Sequence, residues 1–268
     1  MGLKLVLSAI FEVMNGPIIL LSPSKGMNST KTALPWSDVD PAAFPVQTKY
    51  VVQAIGELSA AEKKALFKVS DAMYPDVEAL WDHSSKDFVA PDEKGVPGLV
   101  AYSGEAFKAL HAESLSVEAQ QRARTSLVIL SALYGAVSGG TLVRPYRLEM
   151  QSKLAVGEAK NLYALWKPVL TDWLNEQSTP FIIDACSGEY SKAVVWKEVK
   201  KPVVHVDFKQ MKNGVVKSIS AFSKQARGSF ARWVLQENVQ TIFGLASFNK
   251  DGYRLMSHEG DKMVFLRE

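Results

Sequence analysis

The chain has 268 residues, of which 47% are hydrophobic and 22% are charged, and its formal net charge is +3. This length and hydrophobic content suffice for the core of one large domain, and they exclude a disordered chain. Residues 187–268 hold 14 Lys and Arg against 8 Asp and Glu, whereas the preceding part holds 17 against 20. We therefore expect an anionic ligand to lie near the C-terminal third.

Cysteine and histidine usage excludes several classes of protein. The lone Cys186 rules out an internal disulfide and a cysteine-based metal site, and it fits a reducing compartment. The four histidines show no ligand spacing, so the sequence predicts neither a metal nor a cofactor. No apolar run has transmembrane length, and Glu12 interrupts the run from Leu3 to Met14, which argues against a signal peptide. We predict a cytoplasmic protein without membrane association. We also predict a single domain over residues 1–268, in which residues 1–16 form an N-terminal extension.

The N-terminal half begins with a predicted core strand. Ile18 to Leu21 form an apolar run that ends at a Ser-Pro pair and leads into a polar loop. Prolines 35, 41 and 45 predict an irregular segment up to a helix near Tyr50. Ser59 and Glu62 have the spacing of a capping box for the next helix.

Apolar patterns predict the remaining elements. Residues 99–102 read as a short strand, and helical spacing over 118–134 predicts a helix that stops at Gly135. Further elements are predicted as an Asn161-capped helix through Leu174, a strand at 181–186, a hairpin from 203–209 and 215–222 around Lys212-Asn213-Gly214, and a helix at 224–238. Together they predict a mixed α/β (α+β) fold in which helices cover one mixed β-sheet.

Four polar segments follow predicted strands or sharp turns, and each combines Lys or Arg with glycine, hydroxyl or carboxylate groups. Arginine grips phosphate oxygens in pairs, lysine adds a point charge, and glycine lets backbone N–H groups come close. If these segments converge, they form a cleft suited to phosphate. The candidate phosphate-binding residues are Ser22, Lys25, Arg144, Arg147, Lys192, Lys209, Lys224, Arg227 and Arg232.

The helix that begins near Lys224 has two interpretations. Its N-terminal end, with Lys224 and Arg227, could seat a phosphate. It could also be a solvated basic helix with a helix-packing glycine at Gly228. On a helical wheel the core face holds Ala226, Phe230, Trp233 and Val234, and the outer face holds Lys224, Gly228, Ala231 and Leu235.

The catalytic candidates are Glu149 and Glu189. On an extended segment Arg147 and Glu149 point to one face, where they could form a structural ion pair or an acid/base couple, and the structural pair is favoured. The sequence lacks a P-loop, a GxGxxG turn, a GxSxG elbow and an HExxH helix. Cys186 could be a reactive thiol, but a buried, inert thiol is the favoured interpretation.

Five motifs in order resemble those of the YaaA peroxide-stress family. They are Leu20-Leu21-Ser22-Pro23-Ser24-Lys25, Leu130-Ser131-Ala132-Leu133-Tyr134-Gly135, Arg144-Pro145-Tyr146-Arg147-Leu148-Glu149-Met150, Glu189-Tyr190-Ser191-Lys192-Ala193-Val194 and Lys224-Gln225-Ala226-Arg227-Gly228. The resemblance implies a family-specific α/β fold, a cytoplasmic role in peroxide resistance through limiting free iron, and DNA binding in a basic cleft. It also implies a helix-hairpin-helix element at Leu133-Tyr134-Gly135 and the following turn, where this chain has Val137-Ser138-Gly139-Gly140-Thr141 in place of the family's Arg-Pro pair.

Two functions remain open on these grounds. The first is a stress protein that binds duplex DNA through its phosphates, without sequence preference and with steep salt dependence. The second is an enzyme that acts on a nucleotide or a nucleic-acid base in the same cleft, with Glu149 or Glu189 as general acid or base. Direct iron storage is a third and weaker hypothesis, because no ligand cage is evident.

Overall fold

The computed structural model describes residues 16–30, 33–82, 84–89 and 95–268, so most of the predicted N-terminal extension lies outside the described residues. The strands are β1 (Ile18–Leu21), β2 (Val96–Pro97), β3 (Leu127–Ser131), β4 (Gly135–Ser138), β5 (Leu142–Val143), β6 (Ile182–Asp184), β7 (Val203–Lys212), β8 (Val215–Lys217), β9 (Tyr253–Glu259) and β10 (Lys262–Arg267). The helices are α1 (Pro45–Gly56), α2 (Ala60–Phe67), α3 (Tyr74–Ala79), α4 (Ser85–Val89), α5 (Gly98–Ala101), α6 (Glu105–Leu110), α7 (Val117–Ser126), α8 (Leu162–Glu176), α9 (Gly188–Ser191), α10 (Ser220–Gln236) and α11 (Ile242–Leu245).

Eight of these strands form one mixed sheet in the order β4-β3-β1-β6-β7-β10-β9, with β8 paired to β7. The pairs β1–β3, β1–β6, β6–β7 and β7–β10 are parallel, so these five strands end at the same edge. Every residue of β1, β3 and β6 is buried. Because successive side chains point to opposite faces of a sheet, both faces of the sheet centre must be covered. The predicted mixed α/β fold is confirmed.

Several predicted elements are confirmed with small changes of boundary. Strand β1 has the predicted bounds, and Ser59 and Glu62 form the capping box that begins α2. The Asn161 side chain accepts a hydrogen bond from the Ala164 backbone and caps α8. At the turn between β7 and β8, Asn213 and Gly214 both have positive φ, as a tight hairpin requires. Helix α1 begins at Pro45 rather than near Tyr50, because proline suits the first position of a helix.

The predicted helix over 118–134 is wrong in its second half. Helix α7 ends at Ser126, and the chain continues as β3, which pairs with β1. A continuous apolar run satisfies helical spacing as well as the pattern of a strand buried on both faces, so periodicity could not separate them. The turn at residues 132–134 joins β3 to β4, which are strands, and the helix-hairpin-helix element implied there is not confirmed.

The predicted strand at 99–102 is also wrong, because Gly98 to Ala101 form helix α5. The backbone N–H of Gly98 donates to Thr141 and that of Leu99 donates to Gly139, which anchors the start of α5 on the chain after β4. Four apolar residues fit a buried helical turn as well as a strand. Strands β9 and β10, which complete the sheet, were not predicted.

Candidate functional site

A cleft opens at the carboxyl ends of β1 and β6. From β1 the chain reaches β3 on one side, whereas from β6 it proceeds to β7 on the other side. Such a change of direction between neighbouring parallel strands leaves a crevice, and ligands of open α/β sheets bind there. The topology therefore places the cleft where a ligand is expected.

The cavity in this cleft has a volume of about 350 Å³. Five chain segments meet around it: the loop after β1, the start of α6, the segment before Met150, the loop after β6 and the first turns of α10. The lining residues are Leu21 to Gly26, Gly104 to Phe107, Tyr146 to Glu149, Ala185, Ser187, Glu189, Tyr190, Lys224 and Arg227. The loops that the sequence singled out thus converge on one cavity.

Two serines of the loop after β1 hold the cleft together. The Ser22 hydroxyl accepts a hydrogen bond from the Ser187 backbone at 2.8 Å and donates to the Ser187 hydroxyl at 3.1 Å. The Ser24 hydroxyl accepts from the backbone N–H groups of Ser103 and Gly104 and donates to the Gly26 carbonyl at 2.6 Å. These bonds tie the loop after β1 to the loop after β6 and to the chain before α6.

Arg147, Lys224 and Arg227 line the cavity and form no ion pair with any described residue. The Nε atoms of Arg147 and Arg227 are shielded from solvent and find no hydrogen-bond partner in the described part of the chain. A buried donor without an acceptor costs about 1–3 kcal/mol, and more when the group is charged. Both side chains are half-buried at the cavity wall, where an anion can pair with the charge of their guanidinium groups.

The carboxylates of the cavity, in contrast, have partners. Glu149 pairs with Lys25 at 2.7 Å and with Lys68 at 3.0 Å, and not with Arg147 as the sequence suggested. Burial raises the pKa of Glu149, but the hydrogen bonds from Lys25 and Lys68 outweigh burial and hold it below its ordinary value. Hydrogen bonds from Lys108 and Gln225 likewise lower the pKa of Glu105. Glu149 is therefore ionised at neutral pH and poorly suited to act as an acid.

Helix α10 carries Lys224 and Arg227 into the cleft and packs closely on α6. Ala226, Phe230, Trp233 and Val234 face the core, as the wheel predicted. The predicted outer face is wrong for Gly228, Ala231 and Leu235, which are buried. A Cβ atom at Gly228 would overlap the Ala106 carbonyl oxygen, so the glycine permits the contact between the two helices.

Comparison with known proteins identifies the family of this chain. The family model of peroxide stress protein YaaA matches residues 18–259. The chain belongs to the YaaA family of peroxide stress proteins. It is 34% identical over 255 residues to a UPF0246 protein of Flavobacterium johnsoniae, covering 93% of this chain and 99% of that protein. It is 35% identical over 257 residues to a UPF0246 protein of Aliivibrio fischeri, covering 94% and 98%.

Four of the predicted phosphate-binding residues of this YaaA-family chain lie outside the cavity lining. Arg144 is buried, and its backbone N–H donates to the Tyr134 hydroxyl. Lys192 is exposed at the end of α9, and Lys209 is half-buried on β7. The guanidinium of Arg232 donates to the carbonyls of Leu110, His111 and Ser114, which caps the end of α6.

Tyr146, Tyr190 and Glu105 are among the cavity-lining residues that sequence analysis did not single out. Tyr146 and Tyr190 are almost fully buried there, and the Tyr146 hydroxyl bonds that of Ser131 at 2.7 Å. Both tyrosines lie inside the motifs that resemble those of the YaaA family. Their place in these motifs was the signal that could have identified them as site residues. Glu105 follows a Ser-Gly pair, but its place in the cavity depends on the contact between α6 and α10.

Two buried groups, Cys186 and Asp184, lie beside the cleft. Burial raises the pKa of the Cys186 thiol well above its ordinary value, so the thiol stays protonated and unreactive. The Asp184 carboxylate accepts hydrogen bonds from the Cys186 backbone, the Ser191 hydroxyl at 2.6 Å and His205 Nδ1 at 2.8 Å. These bonds fix both ends of the loop after β6. Within the described ranges, no three His, Cys, Asp or Glu side chains are grouped to hold a metal ion.

The His205 contact predicts a pH dependence of stability. The hydrogen bond to Asp184 raises the pKa of His205 despite partial burial, and Asp261 adds to the effect while Lys262 opposes it. Protonation therefore favours the folded chain: this stabilisation is complete below the unfolded pKa of about 6.5 and is lost as pH rises through the folded pKa. We expect His205→Gln to lower the free energy of unfolding in urea more at pH 5.5 than at pH 9. An equal loss at both pH values would contradict this.

No helix in the described ranges combines the length and the apolar character needed to span a membrane.

Proposed function

We propose that this protein acts in the cytoplasmic response to peroxide by binding the phosphates of nucleic acid, DNA in particular, in the cleft between β1 and β6. The observation that carries the proposal is the pair of arginines, Arg147 and Arg227, which line the cavity and form no ion pair with any described residue. Lys224 adds a third cation without an ion-pair partner there. A contribution to limiting free iron is proposed on the family resemblance alone.

The chemistry of the cleft favours phosphate over a carboxylate ligand. The cleft offers two guanidinium groups and one ammonium group, which suit a ligand with several anionic oxygens. Each arginine can bind two phosphate oxygens at once. Contacts to phosphate groups do not distinguish one base from another, so we expect binding that does not depend on the DNA sequence. Release of counterions from the phosphates would make the affinity fall steeply with salt.

Fluorescence anisotropy with labelled DNA over a range of salt concentrations tests this proposal. We expect log affinity to fall linearly with log salt for the wild-type protein. The Lys224→Ala/Arg227→Ala variant should bind more weakly, with a slope reduced by about two, because each lost phosphate contact removes about one unit.

The matched control is Lys250→Ala/Arg254→Ala, which removes the same charges from exposed positions outside the cavity lining. Equal effects of the two double variants would show that net charge, and not the cleft, governs binding. An affinity independent of salt would contradict phosphate binding altogether.

An enzyme acting on a nucleotide or a nucleic-acid base is the second candidate, and the position of the cavity at the carboxyl ends of parallel strands favours it. Glu189 is the better acid/base candidate, because Glu149 is held ionised by two lysines. Glu189 Oε1 accepts a hydrogen bond from the Gln151 backbone at 3.2 Å, and Oε2 makes no hydrogen bond to any described residue. A free carboxylate oxygen at the wall of a cavity can accept a proton from a bound ligand.

A further inference from the structure

We infer that the cleft takes one unpaired nucleotide at a time: a single unit of phosphate, sugar and base that is not stacked in a duplex. This inference rests on the proposed function and narrows the ligand of the same site. The unit could come from a free nucleoside monophosphate or from a strand whose nucleotide has turned out of its stack. Both sources present the same chemistry to the cavity.

The first argument is the size and depth of the cavity. Its volume of about 350 Å³ lies at the lower end of the range of small-molecule pockets, which is about 300–1,000 Å³. Its lining reaches Leu21 and Ala185, which are almost completely buried at the ends of β1 and β6. A ligand that fills the cavity must therefore enter the protein. A base inside a duplex is enclosed by its neighbours, and proteins that surround one base first take it out of the stack.

The second argument is the pairing of cations with an apolar wall. Arg147, Lys224 and Arg227 suit a phosphate, whereas Pro23, Phe107 and Leu148 line the same cavity without polar side chains. An inorganic phosphate would leave this apolar wall in contact with water. A nucleotide carries both an anionic group and a flat ring that gains free energy when it leaves water.

The third argument is the presence of hydrogen-bonding groups for the rest of the ligand. The free Oε2 of Glu189 can accept from a sugar hydroxyl or from an amino group of a base. At the mouth, the Lys25 side chain pairs with Glu149 and is 58% exposed, so it can also contact the phosphate of a flanking nucleotide. The cleft can thus hold one nucleotide inside and contact its strand outside.

The test compares three DNAs of one sequence by anisotropy at fixed salt: a fully paired duplex, the same duplex with one central unpaired nucleotide, and the single strand. Each complex is then challenged with nucleoside monophosphates, with inorganic phosphate as the control. The Ala106→Leu variant adds volume at the cavity wall without removing a cation. Its fold is checked by thermal melting, and the competition with wild-type protein gives a result that does not depend on that variant.

We expect the duplex with an unpaired nucleotide to bind at least tenfold more tightly than the paired duplex. Nucleoside monophosphates should displace it at concentrations at which inorganic phosphate does not. A folded Ala106→Leu variant should lose this preference. If a monophosphate binds as tightly as the DNA, the ligand is a free nucleotide, and if the DNA binds far more tightly, it is a nucleotide within a strand.

Equal affinity for paired and unpaired DNA without displacement by monophosphates would overturn the inference and leave the proposed DNA binding intact. Failure of all three DNAs to bind would contradict DNA binding itself. In that event direct titration with monophosphates decides the inference: binding supports a nucleotide cavity, and its absence overturns it.

Discussion

Replacing both Arg147 and Arg227 with alanine is expected to weaken nucleic-acid binding on the order of 100-fold or more. A hydrogen bond to a charged group contributes about 1.5–3 kcal/mol, and two such groups together account for this loss. The same change should leave the free energy of unfolding unchanged or raise it, because it removes two shielded Nε donors that have no partner among the described residues. Anisotropy and urea unfolding measure the two quantities separately.

Loss of binding without loss of stability would show that Arg147 and Arg227 bind the ligand and do not stabilise the fold. Single Arg147→Lys and Arg227→Lys variants should give intermediate losses, since lysine keeps the charge and lacks the planar fork. The Lys250→Ala/Arg254→Ala variant serves as the control for net charge. A variant that unfolds more readily and still binds DNA would mean that the two arginines act in folding.

Gly228→Ala is expected to destabilise the protein by about 3 kcal/mol and to disrupt the cleft with it. Within a helix this change normally stabilises by about 1 kcal/mol, because alanine is the better helix former. Here the added Cβ would overlap the Ala106 carbonyl oxygen, and α10 would have to move away from α6. Both helices contribute to the cavity wall, so binding should weaken together with stability. Thermal and urea unfolding measure the first effect, and anisotropy measures the second.

Gly56→Ala is the matched control for this prediction. Gly56 ends α1, is exposed, and has no atom within 4 Å of an added Cβ. Its replacement should be neutral or slightly stabilising. If Gly228→Ala behaves in the same way as Gly56→Ala, the contact between α6 and α10 is not as tight as the structure shows.

The sequence predicted those elements whose signals are local. Strand β1 is a short apolar run that ends at a proline, and the caps at Ser59 and Asn161 depend on residues three positions apart. The turn at Asn213 and Gly214 needs only two residues with positive φ. Local chemistry was sufficient in each case.

Elements that depend on distant contacts could not be predicted in this way. The apolar residues of β3 fit a helix until β1 is placed beside them. The second face of α10 looks solvent-exposed in the sequence because its partner, α6, lies more than 100 residues earlier. Tertiary packing, which pattern and propensity do not contain, decided both cases.

The candidate site also combines features that local signals predicted with features that distant contacts decide. Four of the five converging segments were singled out in the sequence, because polar loops after buried parallel strands meet at one sheet edge, whereas the start of α6 was not. The roles of single residues were not: Glu149 pairs with Lys25 and Lys68 instead of Arg147, and Arg232 caps α6. These partners come from other parts of the chain, so spacing within one segment could not reveal them.

The most direct test of phosphate binding in the cleft is a crystal structure of the protein with a short oligonucleotide. We predict density for a phosphate between Arg147 and Arg227, with its oxygens within hydrogen-bond distance of both guanidinium groups. An oligonucleotide bound elsewhere, with both arginines unchanged and the cleft without phosphate, would contradict the proposed site.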